Sequence, residues 1–361
     1  MAQPLCRYFN KCNGCSLQHI DYEVQIEHKK QKAEKALGIG RVEVFQGSPY
    51  NYRNRLDLLF GKDSLGLRAK NSPSTVIDIE RCEIVNEGVN ELITEIRKHF
   101  LKNTFTSLKS LILRVSSMEK SIVFLLSRKE SDLKNAIDSI RDFSKSTIAD
   151  NVSVAYEGED NSDLVQDAFL IKGNELMKEK IMGKEFSYSL TGFFQTNTEI
   201  AEKMNKFCND IILKEDTKKN ALIDLYGGVG VFGIVNANLF KEVAVVDNDF
   251  ASMNASNFNV EKNEAKNIKV YNIDAQYVKR VSFKEPFYAI IDPPRSGMHQ
   301  KTIEYLKVSK PQKIIYVSCN LEQLRKDIAK FKNYELGRTA LFDMFPQTNH
   351  IEMIVEMNLK K

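Results

Sequence analysis

From residue 221 onward, seven short apolar runs recur, most of them separated by helix-forming sequence: ALIDLYG, EVAVVDND, NIKVYNID, FYAIIDPP, KIIYVSCN, RTALFDMF and HIEMIVEMNL. Runs that are apolar throughout, rather than at alternate positions, suit strands covered on both faces. Their alternation with helices constrains the fold more than any other feature, because it calls for an α/β, doubly wound, mainly parallel sheet. The last two runs leave no room for a helix between them and are expected to form an antiparallel hairpin at the sheet edge.

The first half reads differently. DYEVQIEHKKQKAEKALG is a good helix former that ends at Gly38 in the manner of a C-cap. Short β-type runs at Leu56–Phe60, Leu65–Arg68 and Thr75–Ile79 are broken by Gly, Asp, Asn and Pro, as in an antiparallel meander. A helix is expected over Val89–Leu101, a hairpin from LILRV and SIVFLLS, and a capped amphipathic helix over SDLKNAIDSIRDF. These elements make an α+β module over residues 1–190, with the α/β domain over 191–361 and residues 24–50 packing on it. The net charge of +4 with interspersed signs describes a solvated surface compatible with nucleic acid. The start MAQPLCRYF lacks a basic and apolar leader, and no apolar run approaches the roughly 18 residues of a membrane span. The expectation is a cytoplasmic protein in which nothing demands more than a monomer.

The stretch IDLYGGVGVFGI is a strand, a glycine-rich turn and the start of a helix, with Gly227, Gly228 and Gly230 letting a ligand approach the backbone. Asp247 ends the next run, where an acid commonly binds ribose hydroxyls. The glycine order departs from GxGxxG and the sheet ends in a hairpin, which favours S-adenosylmethionine (SAM) while leaving dinucleotides open. In YAIIDPPRSG, two prolines hold Asp292 rigidly beside the crevice where α/β sheets bind ligands. Arg295 follows them at a place where amino-group methyltransferases carry a base-stacking aromatic, which argues against N-methylation.

Cys319, in KIIYVSCN, closes another apolar run. By itself it reads as a core residue; in the same crevice as the glycine loop it suggests nucleophilic chemistry. C5 of a pyrimidine is too weak a nucleophile to accept a methyl group until a thiolate adds to C6. A base must afterwards remove the C5 proton so that the thiol can leave. A cysteine supplies the thiolate, and Glu352 in TNHIEM is the candidate base. CRYFNKCNGCSLQHI places Cys6, Cys12 and Cys15 close together in a chain with six cysteines, too few for a disulfide scaffold. Reduced thiols in such a pattern point to metal or catalysis.

With these residues assembled, the chain resembles the RNA uracil-5-methyltransferase family over nearly its whole length, and is most similar to the branch that methylates 23S ribosomal RNA. The resemblance rests on CRYFNKCNGCSLQHI, YRNRLDLLFG, GFFQTN, DLYGGVGVFGI, DPPRSG, YVSCN and HIEMIVEM, in that order. It implies a class I (Rossmann-like) SAM methyltransferase sheet preceded by an iron–sulfur domain. It implies Cys319 as nucleophile, Glu352 as proton acceptor, and SAM contacts from Gln195, Tyr226, Gly228, Asp247 and Asp292. It also implies a [4Fe-4S] cluster on Cys6, Cys12, Cys15 and Cys82. Four thiolates suit such a cluster or structural zinc, and the isolated fourth cysteine makes the cluster more natural. A fully ligated cluster leaves no open iron site for radical chemistry.

Gly228 stands where the family often has cysteine, and the chain starts at the cysteine motif without the N-terminal β-barrel of many members. Phe193 is expected to line the pocket and, with Phe194, to stack on an extruded base; Arg53 and Arg55 in YNYRNR suit RNA phosphates. Ribosomal 23S RNA is the expected substrate, with the tRNA T-loop uridine second. An RNA cytosine-5 methyltransferase and a non-catalytic iron–sulfur RNA-binding protein are the other classes. Cys208 is read as core.

Overall fold

A computed structural model describes residues 2–102, 105–156, 166–283 and 286–360. Its C-terminal half is an eight-stranded sheet. In spatial order the strands are Glu43–Phe45, Tyr334–Phe342, Glu352–Leu359, Lys313–Ser318, Phe287–Ile291, Ala221–Leu225, Glu242–Asp247 and Ile268–Asn272. The five strands from Lys313–Ser318 to Ile268–Asn272 run parallel, while Glu352–Leu359 is antiparallel to both its neighbours. Ala221–Leu225, Phe287–Ile291 and Lys313–Ser318 are buried at every position, which explains why their sequences do not alternate. Helices Val231–Asn236, Phe250–Lys262, Gln300–Ser309 and Leu321–Ile328 supply the crossovers.

The expected hairpin forms but is not the edge. Glu43–Phe45 pairs in parallel with residues 340–342 and covers it. Phe45 stacks on Phe342 with ring centroids 4.7 Å apart. That short strand is reached through helix Tyr22–Leu37, which ends at Gly38 in the left-handed region with φ 68°. Lys29 on this helix is buried against Asp343, with Nζ 2.5 Å from Oδ1, and the Tyr22 hydroxyl donates to Oδ2 of the same carboxylate. A charged pair this deep needs every oxygen occupied, and here both are.

The first half forms a seven-stranded sheet in the order Ser72–Asp78, Leu65–Ala69, Arg55–Phe60, Leu108–Val115, Lys120–Leu126, Asn151–Tyr156 and Gln166–Lys172. It is antiparallel except between Lys120–Leu126 and Asn151–Tyr156, which helix Leu133–Ser144 joins as a crossover. That helix lacks the side-chain cap expected for it. Asp132 instead turns its carboxylate to the N–H groups of Thr106 and Ser107 and ties down the start of strand Leu108–Val115. Helices Glu87–Phe100 and Leu133–Ser144 cover one face through Phe100, Phe124 and Phe143. The opposite face, with Ile112 and Val123, packs into the core shared with hairpin Leu176–Ile181/Lys184–Ser189 and helix Thr198–Ile212. Cys208 is buried on that last helix. Among the described residues no helix is long and apolar enough to cross a membrane.

Candidate active site

Strand order reverses between Ala221–Leu225 and Phe287–Ile291, because the next strands in sequence are added on opposite sides. A reversal of this kind opens a crevice at the C-terminal ends of the strands. On its first wall, Tyr226 takes a left-handed φ of 60°, costly for a tyrosine, and its hydroxyl lies 3.4 Å from the His299 N–H. A Cβ on Gly227 would fall 2.8 Å from Val245 Cγ1, so only glycine lets the loop pass the neighbouring strand. Gly228 donates its N–H to Asp247 Oδ2 at 2.9 Å, while Asp247 Oδ1 accepts from Asp249 N. Asp247 therefore shapes the loop as well as presenting a carboxylate.

Asp292 leaves the next strand with its N–H on Leu225 O. Burial, reinforced by Asp247, raises its carboxyl to about 7. Asp224, one layer below, is also held at about 7 by burial, with Oδ2 on the Gly233 N–H and Oδ1 unpartnered. Among the described residues no cation belongs to the groups that shift Asp224 or Asp292, so this end of the crevice suits a positively charged ligand.

Cys319 follows Lys313–Ser318, and the pairing of Ser318 with Met353 carries it opposite Glu352. Glu352 is buried, and desolvation together with Asp292 pushes its carboxyl well above the usual range, partly opposed by Arg295. The half-buried Cys319 thiol is raised by burial and by the carboxylates of Glu352 and Asp292; Arg295, within hydrogen-bonding reach, lowers it. Arg295 Nη2 also lies 3.3 Å from His350 Nδ1, and its carbonyl accepts from Asn320. His350 is held below its ordinary value by burial and by Arg295, Lys29 and Arg53, so it is neutral at pH 7. A thiol, a carboxyl and one guanidinium are therefore gathered in one place. The contact of Arg295 with Cys319 was not legible in sequence, where Arg295 carried only an argument against N-methylation; a strand register brings them together.

Gln195 lies just before the helix Thr198–Ile212, with its backbone oxygen held by Asn54 Nδ2. Phe193 is 70% exposed, whereas Phe194 is buried and stacked on Tyr188 with centroids 4.3 Å apart. The two phenylalanines thus separate into one surface ring and one core ring. Arg53 and Arg55 separate too. Arg55 is engaged with Asp57 through two hydrogen bonds, while Arg53 lines a cavity of about 420 Å³.

Cys6, Cys12, Cys15 and Cys82 surround that same cavity, and Arg295, Phe345, Thr348 and His350 form its other wall. All four are free thiols. Among the described residues no three His, Cys, Asp or Glu side chains converge tightly enough for one metal ion. The four cysteines instead share the lining of one cavity. Sequence reasoning did not foresee that the cysteine segment is sewn to the loop before Glu352. Ser16 and Leu17 donate their N–H groups to Gln347 O, and Gln25 Nε2 donates to Gln347 Oε1.

Residues 21–360 match the model of the tRNA (uracil-5-)-methyltransferase family. The chain belongs to that family. A tRNA (uracil(54)-C(5))-methyltransferase of Pyrococcus horikoshii is 30% identical over 98% of this chain and 85% of its own length. The enzyme of the same name from Pyrococcus abyssi is 28% identical over 98% of this chain and 85% of its own. The crystal structure of the Pyrococcus abyssi tRNA (uracil-54, C5)-methyltransferase in complex with S-adenosyl-L-homocysteine superimposes with a TM-score of 0.79 at 26% identity, covering 96% of this chain and 86% of that one. The α/β SAM-methyltransferase fold expected from the strand pattern is therefore present in this member of the family.

Proposed function

We propose that this chain uses SAM to methylate C5 of a uridine in RNA, and that its substrate is tRNA at uridine 54. The observation that carries the reading is the convergence of Cys319, Glu352 and Arg295 beside the acidic crevice. SAM would supply an electrophilic methyl group on a positively charged sulfur, and Gln195, Tyr226, Gly228, Asp247 and Asp292 would hold it. Cys319 would add as thiolate to uracil C6, and the electrons displaced to C5 would bond to the methyl carbon as the methyl–sulfonium bond breaks, its electron pair staying on sulfur as a neutral thioether. Glu352 then accepts the C5 proton, the C6–S bond breaks, and the thiolate is regenerated. A carboxylate held above its usual range by burial is a stronger base for that step. Arg295 stabilises the thiolate before addition and after release.

Substrate choice follows the family and the Pyrococcus relatives named for uracil 54 of tRNA. The expectation of 23S rRNA first and tRNA second is accordingly reversed. Phe193, an exposed ring, would stack on the extruded base, and Arg53 would meet phosphate. Cys6, Cys12, Cys15 and Cys82 would hold a [4Fe-4S] cluster. Four thiols lining one cavity, the fourth arriving alone from a distant segment, suit a multi-iron centre better than a zinc ion, whose sites usually pair close cysteine knuckles.

Transfer of labelled methyl from SAM tests the reading. Label should enter an unmodified tRNA transcript, and not the same transcript carrying cytidine at position 54. Label entering 23S fragments with inert tRNA would return the substrate to ribosomal RNA. No transfer to any RNA by protein that binds SAM would overturn the proposal.

A further inference from the structure

Arg114 takes no part in the chemistry above, yet it is among the largest fully buried side chains, only 1% exposed. Its Nε has no partner, and no carboxylate of the described residues forms an ion pair with it. A buried cation so placed is costly, and calls for a reason. Alternation along strand Leu108–Val115 puts Arg114 beside Ile112, on the face turned away from the covering helices. There its guanidinium carbon lies 5.2 Å from the centre of the Tyr188 ring, and Nη2 donates to the carbonyl of Gly192. Arg55 Nη1 lies 3.5 Å from the same oxygen. Burial and Arg55 lower the Arg114 guanidinium to about 10, still charged at neutral pH.

The consequence falls on Phe193. Its preceding carbonyl is gripped by two guanidinium groups, and its following ring, Phe194, is stacked on the Tyr188 that Arg114 covers. Both neighbours are fixed while Phe193 itself stands 70% exposed. An exposed ring with immobilised neighbours is a stacking surface whose ordering cost has been met before the ligand arrives. We infer that Arg114 is a positioning residue which, through Gly192 and the Tyr188–Phe194 stack, holds Phe193 as the platform for an extruded RNA base. The inference deepens the RNA-methylation reading and rests on it.

The chain contains no tryptophan, so Phe193→Trp installs a single fluorophore at the platform. In that background, Arg114→Lys keeps the charge but loses the planar fork. The indole should become more mobile, with lower anisotropy and faster acrylamide quenching, while SAM affinity is unchanged. Arg55→Gln, at a partly exposed site, removes the second grip on Gly192 and should loosen the indole too; it serves if Arg114→Lys does not fold. On 5-fluorouridine RNA, Arg114→Lys and Phe193→Ala should each slow covalent adduct formation by about tenfold to a hundredfold. The double variant should be no slower than the worse single, as expected for residues acting as a unit. An indole unmoved in both variants would overturn the inference. So would a mobile indole accompanied by Phe193→Ala at wild-type rate. Failure of the wild-type protein to form any adduct would count against the methylation reading instead; a loosened indole would then still support the clamp, and an unmoved one would overturn it.

Discussion

At the residue scale, Cys319 stands between opposing charges. Burial and the carboxylates of Glu352 and Asp292 raise its thiol, and Arg295 is the cation that offsets them. Removing Arg295 therefore shifts the thiol further up, so in Arg295→Met the pH profile of adduct formation should move alkaline. A profile unchanged in position would show that Arg295 does not tune the nucleophile. Glu352→Gln keeps the shape but cannot accept a proton. Methyl transfer should still occur once, leaving protein and methylated RNA covalently joined, which denaturing electrophoresis would reveal. Product released at the normal rate would remove Glu352 from the mechanism. Cys319 and Glu352 were both candidates from sequence, but their relation was not visible there. They lie far apart in the chain, and only the antiparallel register of Ser318 with Met353 sets them face to face.

At the scale of the element, the strand ends of the crevice hold carboxyls that burial keeps from ionising. Asp224 and Asp292 have folded values of about 7, against about 4 for an unfolded aspartate. Between those two values the folded chain binds more protons than the unfolded one, so stability falls as pH rises and levels off above about 7. Thermal unfolding without SAM should show that slope, and Asp292→Asn should flatten it. An equal slope in wild type and variant would contradict the burial of an ionisable group there. The parallel strands were legible in sequence because burial on both faces leaves an unbroken apolar run. Glu43–Phe45 was not, since three half-buried residues carry no periodicity. For the same reason the C-terminal hairpin looked like an edge, and the strand that covers it comes from the far end of the chain.

At the scale of the molecule, the cysteine segment and the loop before Glu352 form one structure. Gln347, in the left-handed region at φ 67°, receives Ser16 and Leu17 on its carbonyl, five residues before Glu352. Tyr52 and Asn197 hold the carbonyls of Pro346 and Met344 in the same loop. If the four cysteines hold the proposed cluster, its loss is expected to reach the proposed proton-abstraction step at Glu352. Cys82→Ser, purified without oxygen, should contain little iron, bind SAM normally and methylate RNA slowly. Full iron content would exclude Cys82 as a ligand, and a protein holding one zinc would replace the cluster altogether. The cysteine pattern raised the expectation of such a centre, while the attachment of that segment to the Glu352 loop became visible only in the fold. The most direct test of the whole account is a covalent trap. The protein is incubated with SAM and tRNA carrying 5-fluorouridine at position 54, denatured, and mapped by mass spectrometry. Fluorine cannot leave as a proton, so a stable adduct carrying the transferred methyl group is expected, with the RNA joined to the Cys319 peptide. Intact free Cys319 beside bound SAM and bound tRNA, or an adduct at another cysteine, would contradict it.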